Sequence, residues 1–187
     1  MKSRITLILL ALFASISIFA QGAYRLNDLN AGNFRLQNGK VHFDKAYNYP
    51  ASMPALEKRL KSFNDPSAGM QVKDIYDTGM KGVMIRYQLD WTSAGFKNRK
   101  IPKFLRFPVN ANFEVIKENN SYRVRVTDIW FTNMASPGSN QHLTLESMTL
   151  KKQGMAFTKK KKTMRALNIL DDNLEHMFML NPPGFRQ

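Results

Sequence analysis

Two hydrophobic periods run through this chain. Val83, Ile85, Tyr87, Leu89 and Trp91 alternate with Met84, Arg86, Gln88 and Asp90. Leu105, Phe107, Val109, Ala111, Phe113 and Val115 alternate with Arg106, Pro108, Asn110, Asn112 and Glu114, and Tyr122, Val124 and Val126 with Arg123, Arg125 and Thr127. A period of two predicts strands with one buried and one polar face. Pro108 places the start of the second strand at an edge or a bulge. The phase becomes ambiguous from Asp128 to Phe131, which predicts a bulge or a strand end there. Gln71 to Tyr76 and Leu143 to Leu150 read as further strands, the latter with a change of phase near Ser147. Phe34 to Leu36 and Val41 to Phe43 flank Asn38-Gly39, a pair suited to a tight hairpin turn. Asn119-Asn120 is a second turn, and Met134 to Gln141 is a loop.

The other period is helical. Met53, Leu56, Leu60 and Phe63 share a face in a segment capped by Ser52, with Pro54 in its first turn and Asn64-Asp65-Pro66 at its end. Near the C-terminus, Met164, Leu167, Leu170, Leu174, Met177 and Phe178 form a stripe. Thr163 caps this helix, Asp171, Asp172 and Glu175 face water, and Pro182-Pro183-Gly184 stops it. These elements predict an α+β fold: an antiparallel β-sheet of about five to six strands with two α-helices packed on one face.

The first twenty residues stand apart. Lys2 and Arg4 precede an almost wholly apolar run to Ala20, and the next charge is Arg25. This is the pattern of a signal peptide, with cleavage after Ala20 or Ala23; the run is short for a membrane anchor. The expected organisation is a signal peptide over 1–20, a flexible leader over 21–32 and a single domain over 33–187. The chain has no cysteine, which excludes disulfides, thiol chemistry and lipidation at a signal-peptide cysteine. The expected location is the periplasm or the extracellular space, for a protein that is not a lipoprotein.

Charge sharpens the picture. The net charge is +14, and without Lys2 and Arg4 it is +12. Five cations without an acid lie between Gly95 and Phe107: Lys97, Arg99, Lys100, Lys103 and Arg106. Seven more lie between Lys151 and Arg165: Lys151, Lys152, Lys159, Lys160, Lys161, Lys162 and Arg165. These two segments account for the whole excess. Such patches attract polyanions, here an anionic envelope component such as lipopolysaccharide, an acidic glycan or lipid head groups. Export argues against nucleic acid as the partner. The plainer reading is solvated lysines that aid solubility.

The order of elements resembles a known family. The Gly39-Lys40-Val41 strand runs into a Ser52-started helix. Val72-Lys73-Asp74-Ile75, Gly79 and Gly82-Val83 follow, then a long strand, a turn, Tyr122-Arg123-Val124-Arg125-Val126 and a closing helix. This resembles a family of secreted Bacteroidetes proteins of unknown function with a TATA-binding-protein-like (TBP-like) domain, over residues 33 to 180. The first helix is shorter than the family pattern and lacks an aromatic in its middle. The resemblance implies a curved sheet with an open face, and it transfers no functional residue.

Motifs for chemistry are sparse. Asp77-Thr78-Gly79 matches an aspartic-protease tripeptide, but Met80-Lys81 follows it and no second copy exists; a Gly-containing turn between two strands, which the flanking alternation already predicts, explains it better. His42, His142 and His176 show no metal-ligand spacing, so neither a metal nor a cofactor is expected. No nucleophile elbow, phosphate loop or dinucleotide fingerprint occurs. Asp90 beside Trp91 and Asp128 beside Trp130 suit a sugar-binding face, or else Trp91 in the core and Trp130 at its edge. Of the eleven methionines one is the initiator, Met53, Met164 and Met177 fit helix stripes, and gap-filling in the core explains most of them. Three function classes follow. The first is a non-enzymatic binding module for an anionic surface or another envelope protein. The second is a hydrolase whose site is assembled from Asp77, Asp90, Asp128 and His142. The third is a structural subunit with an exposed apolar patch or an unpaired sheet edge.

Overall fold

The computed structural model describes residues 29–48, 58, 61–91, 101–132, 142–151 and 154–180. Among these, eight antiparallel strands form one sheet. They are β1 (Asn30–Ala31), β2 (Phe34–Gln37), β3 (Lys40–Asn48), β4 (Met70–Tyr76), β5 (Gly79–Tyr87), β6 (Val109–Glu118), β7 (Ser121–Thr132) and β8 (His142–Thr144). The order is β1-β2-β3-β7-β6-β5-β4, with β8 also on β7. Eight strands replace the five to six expected, because β1 and β8 are two and three residues long and too short to show a period. β1 also draws Asn30 and Ala31 out of the segment expected to be a leader.

β7 organises the sheet. One edge pairs with β6 throughout. The other pairs with β3 from Ser121 to Val126 and with β8 from Trp130 to Thr132. The β2–β3 hairpin turns at Asn38 (φ 52°) and Gly39 (φ 74°), the two left-handed positions a two-residue turn needs. The β4 edge is blunted. Asn64 Oδ1 accepts from the Val72 amide at 3.0 Å, Asp65 O accepts from the Met70 amide at 2.8 Å, and the register breaks at Lys73.

The helices are α1 (Leu145–Thr149) and α2 (Lys161–Phe178). The strand expected over Leu143 to Leu150 is therefore strand only to Thr144. The Thr144 hydroxyl then accepts from the Ser147 amide at 3.2 Å and caps α1, and Glu146 accepts the Val41 amide at 2.9 Å. Local capping outcompetes extension of β8. The first expected helix, from Ser52, lies outside the described residues except Lys58 and a 3-10 turn over Lys61–Phe63. The expected signal peptide, the expected Met134 to Gln141 loop and the expected stop at Pro182-Pro183-Gly184 also lie outside them.

α2 starts two residues before the expected Thr163 cap. Lys160 holds the N-cap position, without a side-chain hydrogen bond. The buried stripe is wider than expected, adding Ala166 and Ile169 to Leu167, Leu170, Leu174 and Phe178. Of the three acids expected in water, only Asp172 is exposed. Asp171 accepts from the Asn33 amide (3.1 Å) and side chain (2.8 Å), and Glu175 pairs with Lys45. Burial raises the Asp171 carboxyl pKa, and the Asn33 bonds oppose the rise. The Tyr47 hydroxyl donates to Glu175 O, and Tyr122 donates to Phe178 O at 2.7 Å. Phe178 thus sits over the start of β7, so α2 runs antiparallel to β7 across one face. The opposite face is left uncovered by α1 and α2. No helix among the described residues is long and apolar enough to cross a membrane.

Candidate functional site

The uncovered face carries an unusual feature beside β6. On β5, Ile85 and Arg86 together stand opposite a single residue, between the Met84–Ala111 and Tyr87–Val109 pairs. On β7, Asp128 and Ile129 do the same, between the Thr127–Asn112 and Trp130–Asn110 pairs. These are two β-bulges on the strands that flank β6. Each holds a non-glycine residue in the left-handed region, Arg86 at φ 50° and Asp128 at φ 51°. β6 secures both: Asn110 Oδ1 accepts from the Arg86 amide at 3.0 Å, and Asn112 donates to the Asp128 carboxylate at 3.1 Å. Asn110 also donates to the Thr132 hydroxyl at 3.0 Å.

The first bulge overturns the expected phase of β5. Met80 and Met84 point into the core, whereas Val83 and Ile85 lie on the open face, with Ile85 44% exposed. The extra residue restores the expected phase from Tyr87 onward, so Leu89 and Trp91 are buried. The second bulge lies where the sequence was ambiguous, at Asp128. Between the bulges is a groove of about 630 Å³ that includes Lys73, Arg86, Asp128, Trp130 and His142 in its wall. His142 packs edge-to-face with Trp130, with ring centroids 4.3 Å apart. Lys40 pairs with Asp128 at 3.4 Å.

The groove continues into a smaller hollow reaching Lys81, Glu114 and Arg125. There the Tyr76 hydroxyl donates to Glu114 at 2.9 Å. Burial, then the Glu114 bond and charge, push this phenol up to about 12. Arg125 in turn grips Asp44, and burial followed by the Arg125 charge lowers the His42 pKa.

The four dispersed hydrolase candidates do not converge. Asp128 and His142 share the groove. Asp77 is exposed in the two-residue β4–β5 turn, which is the turn reading of Asp77-Thr78-Gly79. Asp90 lies beyond the other end of that hairpin, where its carbonyl accepts from Asn173. No group of three or more acidic, histidine or cysteine residues among the described residues can hold a metal. Trp91 is core, and Trp130 is the tryptophan on the open face. Sequence reasoning named Asp128, Trp130 and His142 but missed Lys73, Arg86, Asn110 and Asn112, because the Arg86 bulge leaves no trace in an apparently unbroken alternation.

Of the basic segments, Lys97, Arg99, Lys100 and Lys152 lie outside the described residues. Lys103, Arg106, Lys151, Lys159, Lys160, Lys161, Lys162 and Arg165 are all exposed. Lys103 and Arg106 belong to a 3-10 turn whose Phe104 packs on Phe131 at 5.3 Å. Lys159 to Lys162 lead into α2, just after Thr158 bonds back to Thr149 of α1. Since α2 runs antiparallel to β7, both stretches lie toward the Phe131 end of the sheet.

Fold and groove together define an antiparallel α+β domain with helices on one face and a bulged, polar groove on the other. No family model matches the chain, and no curated protein matches it by sequence. Two solved structures are similar to this chain. A DUF4468 family protein from Bacteroides ovatus ATCC 8483 aligns over 86% of this chain and 98% of its own, at 15% identity and TM-score 0.56. A TBP-like protein from Parabacteroides distasonis ATCC 8503 aligns over 74% of this chain and 95% of its own, at 11% identity and TM-score 0.44. The first of these is in keeping with the resemblance read from the sequence, and at 15% identity it carries fold and no activity.

Proposed function

We propose that this protein is exported to the periplasm or beyond and acts as a non-enzymatic binding module for an anionic envelope surface. The observation that carries this reading is the pair of basic stretches toward the Phe131 end of the sheet: the Lys103–Arg106 turn, whose Phe104 packs on Phe131, and the Lys159–Lys162 run at the start of α2. No acidic residue lies in the first turn of α2. Cations there oppose the helix macrodipole, at a cost of about 0.3–1 kcal/mol each, and an external anion relieves that repulsion. Lysines make a point-charge contact suited to a diffuse anionic surface rather than to one shaped ligand.

Two measurements test the proposal. N-terminal sequencing of the protein from the native envelope is expected to start at Gln21; an intact Met1 in the membrane fraction would replace export with anchoring. Co-sedimentation with phosphatidylglycerol-containing vesicles is expected to exceed that with phosphatidylcholine vesicles and to weaken with salt. Changing Lys159, Lys160, Lys161 and Lys162 to glutamine is expected to reduce it at least about tenfold, since each lysine near an anionic surface contributes about 1 kcal/mol. The melting temperature of that variant should stay level or rise, for the macrodipole reason. Unchanged sedimentation of the variant would exclude the basic end as the contact.

A further inference from the structure

We infer that the groove between the two bulges binds an acidic saccharide, with a carboxylate against Arg86 and Lys73 and a pyranose face against Trp130. This site lies on the sheet face away from α2 and uses none of the lysines at the basic end. Three independent observations carry it.

The first is backbone strain. Left-handed conformations outside glycine are strained where the surroundings impose them, and they gather at binding sites. Here two occur on different strands, both in the wall of one groove, each held by an asparagine of the strand between them. The two bulges rephase β5 and β7 so that Leu89, Trp91, Ile129 and Phe131 reach the core, and the same kinks set Arg86 and Asp128 at the groove between them.

The second is charge. Asp128 is already matched by Lys40 and Asn112. Among the described residues no carboxylate pairs with Arg86 or with Lys73, whose ammonium donates only to the Gln71 side-chain amide at 2.9 Å. The groove therefore has an unneutralised cationic side. A guanidinium fork matches a carboxylate in shape as well as charge.

The third is the remaining lining. Trp130 is oriented by His142, and Val83 and Ile85 add apolar surface. Thr132, Asn112 and Asp128 offer polar groups around them. A sugar ring needs this combination, because its C–H face is apolar and its rim is hydroxyl. The strands β5, β6 and β7 that carry most of the lining are each paired on both sides, so a peptide cannot add as a strand along them. The volume falls within the usual range of ligand sites, about 300–1,000 Å³.

The test is calorimetric titration of the full chain with trigalacturonic acid, with neutral galactotriose and a thymidine oligonucleotide as comparisons. The acid trimer is expected to bind saturably and more tightly than either comparison. Trp130→Ala and Arg86→Asn are each expected to weaken it about tenfold, the loss of one aromatic or charged contact. Asparagine tolerates the left-handed backbone at position 86, so that variant tests the site even if position 130 affects folding. Glutamine at Lys159 to Lys162 should leave the affinity unchanged, which separates this site from the basic end. The inference fails if the acid trimer shows no saturable binding at millimolar concentration, or if either comparison binds as well. It fails equally if both single variants bind like the parent.

Discussion

Replacing Phe178 with alanine is expected to lower the free energy of unfolding by about 3–5 kcal/mol, the range for deleting a buried phenylalanine. Phe178 is 0% exposed. Its ring meets Phe63 edge-on at 5.4 Å and lies tilted against Phe113 at 5.6 Å. Three parts of the chain therefore converge on one side chain: the 3-10 turn before β4, the middle of β6 and the last turn of α2. Its carbonyl accepts from Tyr122, and the same hydroxyl accepts from the Leu180 amide at 3.1 Å, so the helix end is closed by a tyrosine from the sheet. Alanine keeps those backbone bonds, so the expected loss isolates the aromatic contacts and the cavity. Phe178→Leu, which fills part of the space, should lose about 1–2 kcal/mol. Urea denaturation with both variants checks this. A loss below about 1 kcal/mol for alanine would mean that α2 is not anchored through this residue.

The contrast between β7 and β5 shows which parts of such a domain are legible. On β7, Tyr122, Val124 and Val126 face inward as the alternation predicts, and the break at Asp128 is visible because Ile129 falls out of phase with them. On β5, the alternation of Val83, Ile85, Tyr87, Leu89 and Trp91 is unbroken in sequence, yet its first two members face outward. The methionines decide this. Met80 and Met84 are flexible enough to fill the core under Gly82, where any side chain would collide with Phe113 and the Gln71 carbonyl. Pattern reading ranks isoleucine above methionine for burial, so the bulge that reverses the order stays hidden. The same cause hides Arg86 and Asn110, while Asp128, Trp130 and His142 could be named by residue type alone. α1 was hidden for another reason: five residues hold no helical period, and its signal is the Thr144 cap. The basic segments were plain in the sequence, but their meeting at one end follows only from the direction of α2.

Asp44→Ala is expected to cost about 2–3 kcal/mol at neutral pH and to change the response to acid in two opposite ways. Asp44 is only 6% exposed on the open face. Its Oδ1 accepts from Arg123 Nη1 at 2.9 Å, and its Oδ2 from Arg125 Nη2 at 3.0 Å and Nε at 3.2 Å. Losing the acid of a fully buried pair costs about 3–5 kcal/mol, and the partly exposed arginines reduce that figure through solvent screening. Burial pushes the Asp44 carboxyl upward, but the hydrogen bonds and charges of the two arginines outweigh it and hold the carboxyl below its ordinary 3.8. A carboxyl lowered in the folded state stabilises fully above its unfolded value, and that contribution disappears as the pH falls through the folded value. His42, beside it, is lowered from 6.5 by burial and then by Arg125, while Asp44 opposes that shift. A histidine lowered on folding takes its proton first in the unfolded state, so it destabilises the fold as the pH drops below about 6.5. Removing Asp44 takes away the group that supports a charged His42. Stability of the variant should therefore fall more steeply than the parent's just below pH 6.5 and less steeply below pH 4. Urea midpoints from pH 7.5 to 3 resolve the two windows. A variant curve running parallel to the parent's through both windows would show that Asp44 is not the acid that holds this face together.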